Sequence, residues 1–391
     1  METREELGEG AHGTDPDADP ADVDRIGALV TERLGVAPRR IERIPAGLGD
    51  RRFYRIALAA QDPRVPPSDD STSELRTLIA RVEPKRSATG SAPSPTPPFS
   101  WLPEPLLEPI RSVLEAAGLP VPRSYGHDPD AGIDLLEDLG TKTLADVPND
   151  DLREPYFQAA ALIPRIQAVV GNVESAPAFG RPFDEKLVGT KAAKVIHWSW
   201  PGLLGREANA HERQEIQSGF SAIAPLLVDC PRRLAHRDFK AENLHGAQRN
   251  ANNEPWVMID VQGALMAPPE YDLVCLLRDL QVEIPEALVE EIRGSLLSEL
   301  AGRTRREDAE RRFEAISVVR LSKDLAHIVH AAKTRGDARR WHEIPRGLQL
   351  LDEALGRLEH TFPPARPLAF VMHALTRDAQ YSDIPDSRQG P

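Results

Sequence analysis

Cysteine is nearly missing: 391 residues contain only Cys230 and Cys275, which excludes a disulfide framework and any all-cysteine metal site. No stretch reaches the ~18 consecutive apolar residues that a membrane-spanning helix needs. The opening residues, METREELGEG, lack the apolar core of a secretory signal. A reducing, cytoplasmic setting is therefore expected. Lysine is scarce as well, at eight of the 48 basic residues, the rest being arginine. With 36 prolines and abundant alanine, that excess of arginine reads as base-composition bias and carries no functional weight. Net positive charge is absent too: 61 acidic side chains leave the chain at −13. A field of that sign repels nucleic acid and anionic membrane, so neither is an expected partner.

What remains is a composition of 40% hydrophobic and 28% charged residues, that of an ordinary globular protein. The length favours two lobes over a single core. Residues 1–20 are rich in Gly, Asp and Pro and are expected to be a disordered tail. Val23, Ile26, Leu29, Val30 and Leu34 then recur at helical spacing, with Asp22 as a candidate cap and Gly35 as a stop. A turn with Gly47 and Gly49 precedes the alternating run Phe53–Leu58, and Thr77–Val82 offers a second strand. Two strands around a polar loop predict an antiparallel sheet. Residues 84–105, mostly Pro, Ser, Thr and Ala, read as an insertion or lid. A helix is predicted from Leu106 to Ala117, then short strands at Ser124–His127 and Ile133–Glu137. From about residue 150 the periodicity is helical, over 154–170 with a kink at Pro164, 208–229, 285–301, 306–334 and 345–360. The domains so predicted are 21–138, rich in strands, and 139–376, rich in helices, with a loose tail over 377–391.

The stretch that carries chemistry is Leu234–Leu244, which contains His236-Arg237-Asp238 and, five residues after that aspartate, Asn243. Seventeen residues further on, the apolar run Val257-Met258-Ile259 ends in Asp260. Phosphoryl transfer needs this inventory: one carboxylate to align the attacking hydroxyl and accept its proton, and a carboxamide and second carboxylate to hold Mg²⁺ against the phosphates. Such oxygen donors suit Mg²⁺, which takes few protein ligands. A tight loop from Asp238 to Asn243 would turn both side chains to one point, where a strand ending at Asp260 delivers the third oxygen.

These residues, with Ile259-Asp260-Val261-Gln262 and Pro268-Pro269-Glu270-Tyr271-Asp272, resemble the aminoglycoside phosphotransferase and choline-kinase superfamily, which shares the protein-kinase fold. Within it the chain is most similar to the bacterial amino-sugar 1-kinases of cell-wall recycling, which phosphorylate N-acetylmuramate and N-acetylglucosamine. Gly49–Arg55 and Leu135–Gly140 support that likeness, with weaker echoes at Phe183–Trp198 and Arg320–Asp324. The resemblance implies a bilobal α+β fold with a small antiparallel-sheet lobe and a larger helical lobe. It also implies ATP and Mg²⁺ as cofactors and a small-molecule hydroxyl as substrate. Asp238 would be the catalytic base, with Asn243 and Asp260 as the Mg²⁺ ligands. The backbone of Glu137 and Leu139 would meet the adenine edge, while His236 and Arg237 brace the loop and Asp272 bonds that brace.

Two departures bear on the substrate and the phosphates. The sugar-kinase branch has an acidic residue three positions past the metal aspartate, where this chain has Gly263. The usual third-strand lysine is also missing. Arg81 or Lys85 could take its place against the phosphates, and Glu104 or Glu108 could be the partner glutamate. Lys240, two residues after the base, is expected to be a cation for the transition state. Gly47 and Gly49, by themselves no more than a hairpin turn, are expected ahead of this strand to form a phosphate-covering loop, with Arg52 beside it as a loop-tip charge or a phosphate contact. Trp198 and Trp200 could stack on a sugar but more commonly such rings are core anchors. His327 and His330, at i and i+3, lack a third metal ligand and fit better as a helix face near the substrate. The alternatives to an amino sugar are an aminoglycoside, a choline-like or homoserine-type alcohol, or a nucleotide-binding scaffold without catalysis.

Overall fold

A computed structural model describes residues 13–14, 18–45, 51–59, 75–83, 105–246, 255–302 and 304–381, and the chain divides into two units. In the first, helix α1 (Pro20–Leu34) starts where the Asp19 carboxylate accepts the Ala21 amide and ends on Gly35 at φ 71°. That left-handed turn costs glycine no clash. Asp22, the expected cap, is instead fully buried, and its carboxylate takes Arg25, Arg52 and Tyr54. Ile26, Leu29, Val30 and Leu34 lie against one face of a sheet.

The sheet runs in the order β1-β2-β3-β4-β6-β5. Its strands are β1 (Gly13–Thr14), β2 (Arg40–Ile44), β3 (Arg52–Ala59), β4 (Leu75–Val82), β5 (Ser124–Asp128) and β6 (Ile133–Glu137). All pairs are antiparallel except β1 with β2. Tyr54 lies opposite Ala80, which lies opposite Leu135; side chains alternate along each strand, so these residues and their i±2 neighbours share the α1 face. Gly13 and Thr14, inside the stretch expected to be disordered, pair with Arg40 and Ile41.

The second unit begins with α2 (Ile110–Ala116), which lies inside the 21–138 span expected to be the strand-rich domain. Leu114 of this helix packs with Ile166, Leu234 and Met258, an apolar surface that exists only in the helical part of the chain. Next come α3 (Arg153–Ala160) and α4 (Leu162–Gln167), broken three residues ahead of Pro164 as a helix-interior proline demands. Helix α5 (Glu185–Lys194) passes through a π turn, Val195–Ser199, into α6 (Trp200–Leu204), and α7 (Ala210–Val228) follows. Two short antiparallel pairs build the loop region: β7 (Arg233–Ala235) with β10 (Leu265–Ala267), and β8 (Leu244–Gly246) with β9 (Trp256–Met258). Helices α8 (Tyr271–Leu277), α9 (Glu286–Ala301), α10 (Arg306–Arg335), α11 (Ile344–Thr361) and α12 (Arg366–Asp378) complete the unit. Helix α12 was not anticipated, although Leu368, Val371, Met372 and Leu375 are buried at helical spacing.

Candidate active site

The site is built on the loop that leaves β7. Asp272, in the first turn of α8, accepts the backbone amides of His236 at 2.7 Å and Arg237 at 2.9 Å. The buried His236 ring donates from Nε2 to the Ile259 carbonyl at 2.9 Å, and burial holds its pKa below the usual value, so the ring is neutral. Arg237 has φ 80°, and its carbonyl accepts Arg320 Nη1 at 2.7 Å and the Cys275 thiol at 3.2 Å. Among the described non-glycine residues only Arg237 and Asp260, at φ 62°, have positive φ. Each such residue costs of order 1–3 kcal/mol and persists only where bonds over-determine it. Both belong to this loop region.

Asp238, Asn243 and Asp260 share one hydrogen-bonded frame. The Asn243 amide nitrogen donates to the Asp238 carbonyl at 2.8 Å, and the Asn243 carbonyl accepts the Ile259 amide at 3.0 Å. Asp260 follows Ile259 directly, and Gln262 donates to its carboxylate. Register across β8 and β9, with Leu244 opposite Met258, thus brings Asp260 beside Asn243. Lys240, two residues from Asp238, pairs with Glu242, which also accepts from Gln281.

The Asp238 carboxylate is surrounded by cations. It lies 2.9 Å from Arg320 Nη1, 3.5 Å from Lys323 Nζ and 4.0 Å from Arg237 Nε. Burial opposes its ionisation, yet Lys323, Arg320 and Arg237 hold the carboxyl well below the usual aspartate range. Asp324 pairs with Arg320 at 2.9 Å and Lys323 at 3.1 Å. Two more lysines come from α5. Lys194 Nζ meets His327 Nε2 at 2.6 Å, and burial with Lys323 and Arg237 nearby lowers its pKa to about 7. Lys191 is buried, and burial with the surrounding cations pushes it well below the ordinary lysine value. Lys191 and Lys194 were not singled out by sequence; their rarity in a lysine-poor chain was the available signal.

His327 and His330 both lie against Trp198. His330 stacks on Trp198 at 4.2 Å with 17° between the planes, and both Trp198 and Trp200 are buried. No group of three or more His, Cys, Asp or Glu among the described residues is placed to hold a metal ion.

Gly47, Gly49, Lys85 and Glu104 lie outside the described residues. Arg81 lies opposite Phe53 and Asp134 in the sheet, and its guanidinium is taken by Asp134 at 2.7 Å and Glu83 at 2.6 Å. Glu108, the other candidate partner, belongs to the second unit and spends its carboxylate on Arg111 and Ser112. Arg52 points the other way from Arg81, to Asp22 under α1. Adjacent sheet positions alternate faces, so Arg52 and Arg81 face opposite sides of the sheet. The Glu137 amide bonds the Arg123 carbonyl at 2.9 Å, whereas the Leu139 amide has no partner among the described residues.

The family model described as "Phosphotransferase enzyme family" matches residues 40–310, which includes Asp238, Asn243 and Asp260 and ends before Arg320 and Lys323 of α10. The chain belongs to that phosphotransferase family. It is 26% identical over 258 residues to an N-acetylmuramate/N-acetylglucosamine kinase of Pseudomonas putida, covering 63% of this chain and 72% of the relative. It is also 32% identical over 152 residues to a streptomycin 6-kinase of Streptomyces griseus, covering 39% and 44%. Its fold is that of choline kinase LicA from Streptococcus pneumoniae, with a TM-score of 0.55 at 15% identity over 87% of this chain and 99% of that one. The phosphotransferase is therefore an enzyme with a kinase-like α+β fold. None of its described helices is long and apolar enough to cross a membrane.

Proposed function

We propose that this phosphotransferase moves the γ-phosphoryl group of ATP, with Mg²⁺, onto the anomeric hydroxyl of an N-acetylated amino sugar such as N-acetylmuramate or N-acetylglucosamine. The observation that carries the reading is the common frame of Asp238, Asn243 and Asp260. With its amide nitrogen bonded to the Asp238 carbonyl, Asn243 keeps its amide oxygen for a cation, and Asp260 adds a carboxylate. Such a donor set fits a hard ion that takes one or two protein carboxylates and leaves the rest to water and phosphate. Bound there, Mg²⁺ would neutralise charge on the phosphates. LicA has also been solved in complex with AMP, in keeping with an adenine nucleotide. The Glu137 carbonyl and Leu139 amide are the edge offered to the base.

Asp238, kept ionised by its cationic neighbours, is a weak base but a firm acceptor. It orients the sugar hydroxyl in line with the γ-phosphorus. As the new O–P bond forms and the β–γ bridging bond breaks, ADP leaves and the proton passes to Asp238 late, as a loose transition state permits. Lys240 is positioned by Glu242 near the same loop as a cation for the phosphoryl oxygens. The remaining contact to the phosphates falls to Arg81 or Lys85.

The acceptor follows from two considerations. The amino-sugar kinase of P. putida matches a larger share of both chains than does the streptomycin kinase. Streptomycin is also a polycation, and the surroundings of Asp238 are already rich in cations. An ADP-release assay over N-acetylmuramate, N-acetylglucosamine, streptomycin and choline tests this, and one of the amino sugars should be turned over. Turnover of streptomycin alone would discard the acceptor and keep the kinase. Asp238→Ala should cost about 10³-fold in kcat while nucleotide still shifts the melting temperature. Retained turnover would remove Asp238 from the role of base.

A further inference from the structure

Helices α5 and α10, with Arg237 of the loop after β7, bring a set of cations to the neighbourhood of Asp238. Arg237, Arg320, Lys323, Lys194 and Lys191 gather there, against the carboxylates of Asp238 and Asp324. Three of the chain's eight lysines are in this group. Lys323 and Arg320 have carboxylate partners, and Lys194 has His327. Lys191 is different. It is 6% exposed and makes no hydrogen bond or ion pair among the described residues. The charges that act on it most strongly are Lys194, Lys323, Arg237 and Arg320, all of its own sign, and each of the first two already has its own partner, His327 for Lys194 and the carboxylates of Asp238 and Asp324 for Lys323.

Burying an ammonium among other cations is costly, and proteins retain such a group where a partner arrives from outside. That partner is an anion. The Mg²⁺-phosphate side of the site has its own donors, since Asn243 and Asp260 reach the loop from the β8–β9 pair, whereas the lysines arrive from α5 and α10. We propose that Lys191, with Lys194 and Lys323 beside it, forms a subsite for a carboxylate carried by the acceptor, so that the preferred substrate is an anionic alcohol. The inference rests on the reading of Asp238 as the group at the acceptor hydroxyl. Among the amino sugars it selects N-acetylmuramate, whose lactyl ether carries a carboxylate, over N-acetylglucosamine, which lacks one.

The test compares the two sugars in the wild-type protein and in Lys191→Met. The ratio of kcat/KM for N-acetylmuramate to that for N-acetylglucosamine should fall about tenfold or more in the variant, the loss of one charge-assisted contact. In the absence of ligand, Lys191→Met should melt at a higher temperature than wild type, because a repelled buried charge is gone. An unmoved ratio overturns the subsite, and so does a rise in the KM for ATP without a change in the ratio, which would assign the lysines to the nucleotide. A lower melting temperature overturns it as well, because Lys191 would then have a structural partner. The acceptor reading fails separately. If the best acceptor is a carboxylate-bearing alcohol that is not an amino sugar, and Lys191→Met selectively impairs it, the subsite stands and the amino-sugar assignment falls. A polycationic best acceptor removes both.

Discussion

In the sheet unit, Asp22 lies beneath Arg25, Arg52 and Tyr54, Arg81 is shared by Asp134 and Glu83, and Arg55 is matched by Asp138. Around Asp238, by contrast, Arg320, Lys323 and Arg237 crowd the carboxylate, the first two of them shared with Asp324, and Lys191 is buried near the same cations with no bonded partner among the described residues. Both arrangements bury arginine or lysine in a protein interior. They differ in whether the neighbours cancel the charge. A cancelled charge fixes where a strand sits against a helix or its neighbouring strand, and nothing need be added to it. An uncancelled charge makes sense as half of a contact, with the other half supplied by a ligand. Charge balance thus separates scaffold from binding surface within one chain, where burial alone would put them together.

The largest effect that would sharpen this contrast is on the scaffold side. Arg81 and Asp134 are each only 4% exposed in their side chains and 2.7 Å apart. Asp134→Ala should cost about 3 kcal/mol, because it leaves a buried guanidinium with one partner fewer. Urea denaturation measures it. Adding Arg81→Met in the same chain should recover most of the loss, since an apolar pair can replace a buried ion pair. If the double variant regains stability but its KM for ATP rises, Arg81 serves the phosphates as well as the sheet. A single-variant loss under about 1 kcal/mol would break the comparison.

How much of this was legible beforehand depends on sequence distance. Asp238, Asn243 and Asp260 lie within 23 residues, and their meeting needs only a tight loop and one short antiparallel pair, so fixed offsets suffice to reveal them. The antiparallel sheet was legible in part because Phe53–Leu58 and Thr77–Val82 alternate; β2, with Arg-Ile-Glu-Arg-Ile, is short and charged and went unread. Asp22 looked like a helix cap because capping is local, whereas Arg52 and Tyr54 are 30 and 32 residues away. The faces of Arg52 and Arg81 depend on strand register, which no composition reveals. Lys191 and Lys194 stand on a helix with little amphipathic pattern, opposite α10 residues more than a hundred positions later, such as His327. Their rarity in the sequence is the one visible signal, and a bias of base composition towards arginine produces the same scarcity.

A smaller effect tests the uncancelled side through pH. Lys194 is held at about 7, against an ordinary 10.5, by burial and by Lys323 and Arg237, with Asp324 opposing and His327 as its bonded neighbour. Between those values the unfolded chain binds a proton that the folded chain does not. Stability should therefore rise as pH climbs from 7 towards 10.5, and the penalty is complete below 7. Lys194→Met removes it. The variant should exceed wild type by about 2 kcal/mol at pH 6, with the gain fading as pH approaches 10. A gain that is flat with pH would mean that Lys194 stays charged in the folded protein, and that the crowding of cations is relieved by something else.

The smallest effect concerns Lys240, which lies in the same loop but is matched by Glu242. Their side chains are 18% and 38% exposed, so water screens the pair even though the fold brings it together. Glu242→Gln should therefore change stability by only ~0.2–1 kcal/mol, far less than Asp134→Ala. The kinetic consequence is the informative one. With Glu242 neutral, Lys240 loses the partner that keeps its ammonium near Asp238, and kcat should fall while the KM values for ATP and sugar hold. A stability loss approaching that of Asp134→Ala would place Lys240 with the cancelled charges of the scaffold and end its candidacy as a transition-state cation. An unchanged kcat would do the same from the other direction, because a cation that serves the phosphoryl oxygens cannot be indifferent to the group that positions it.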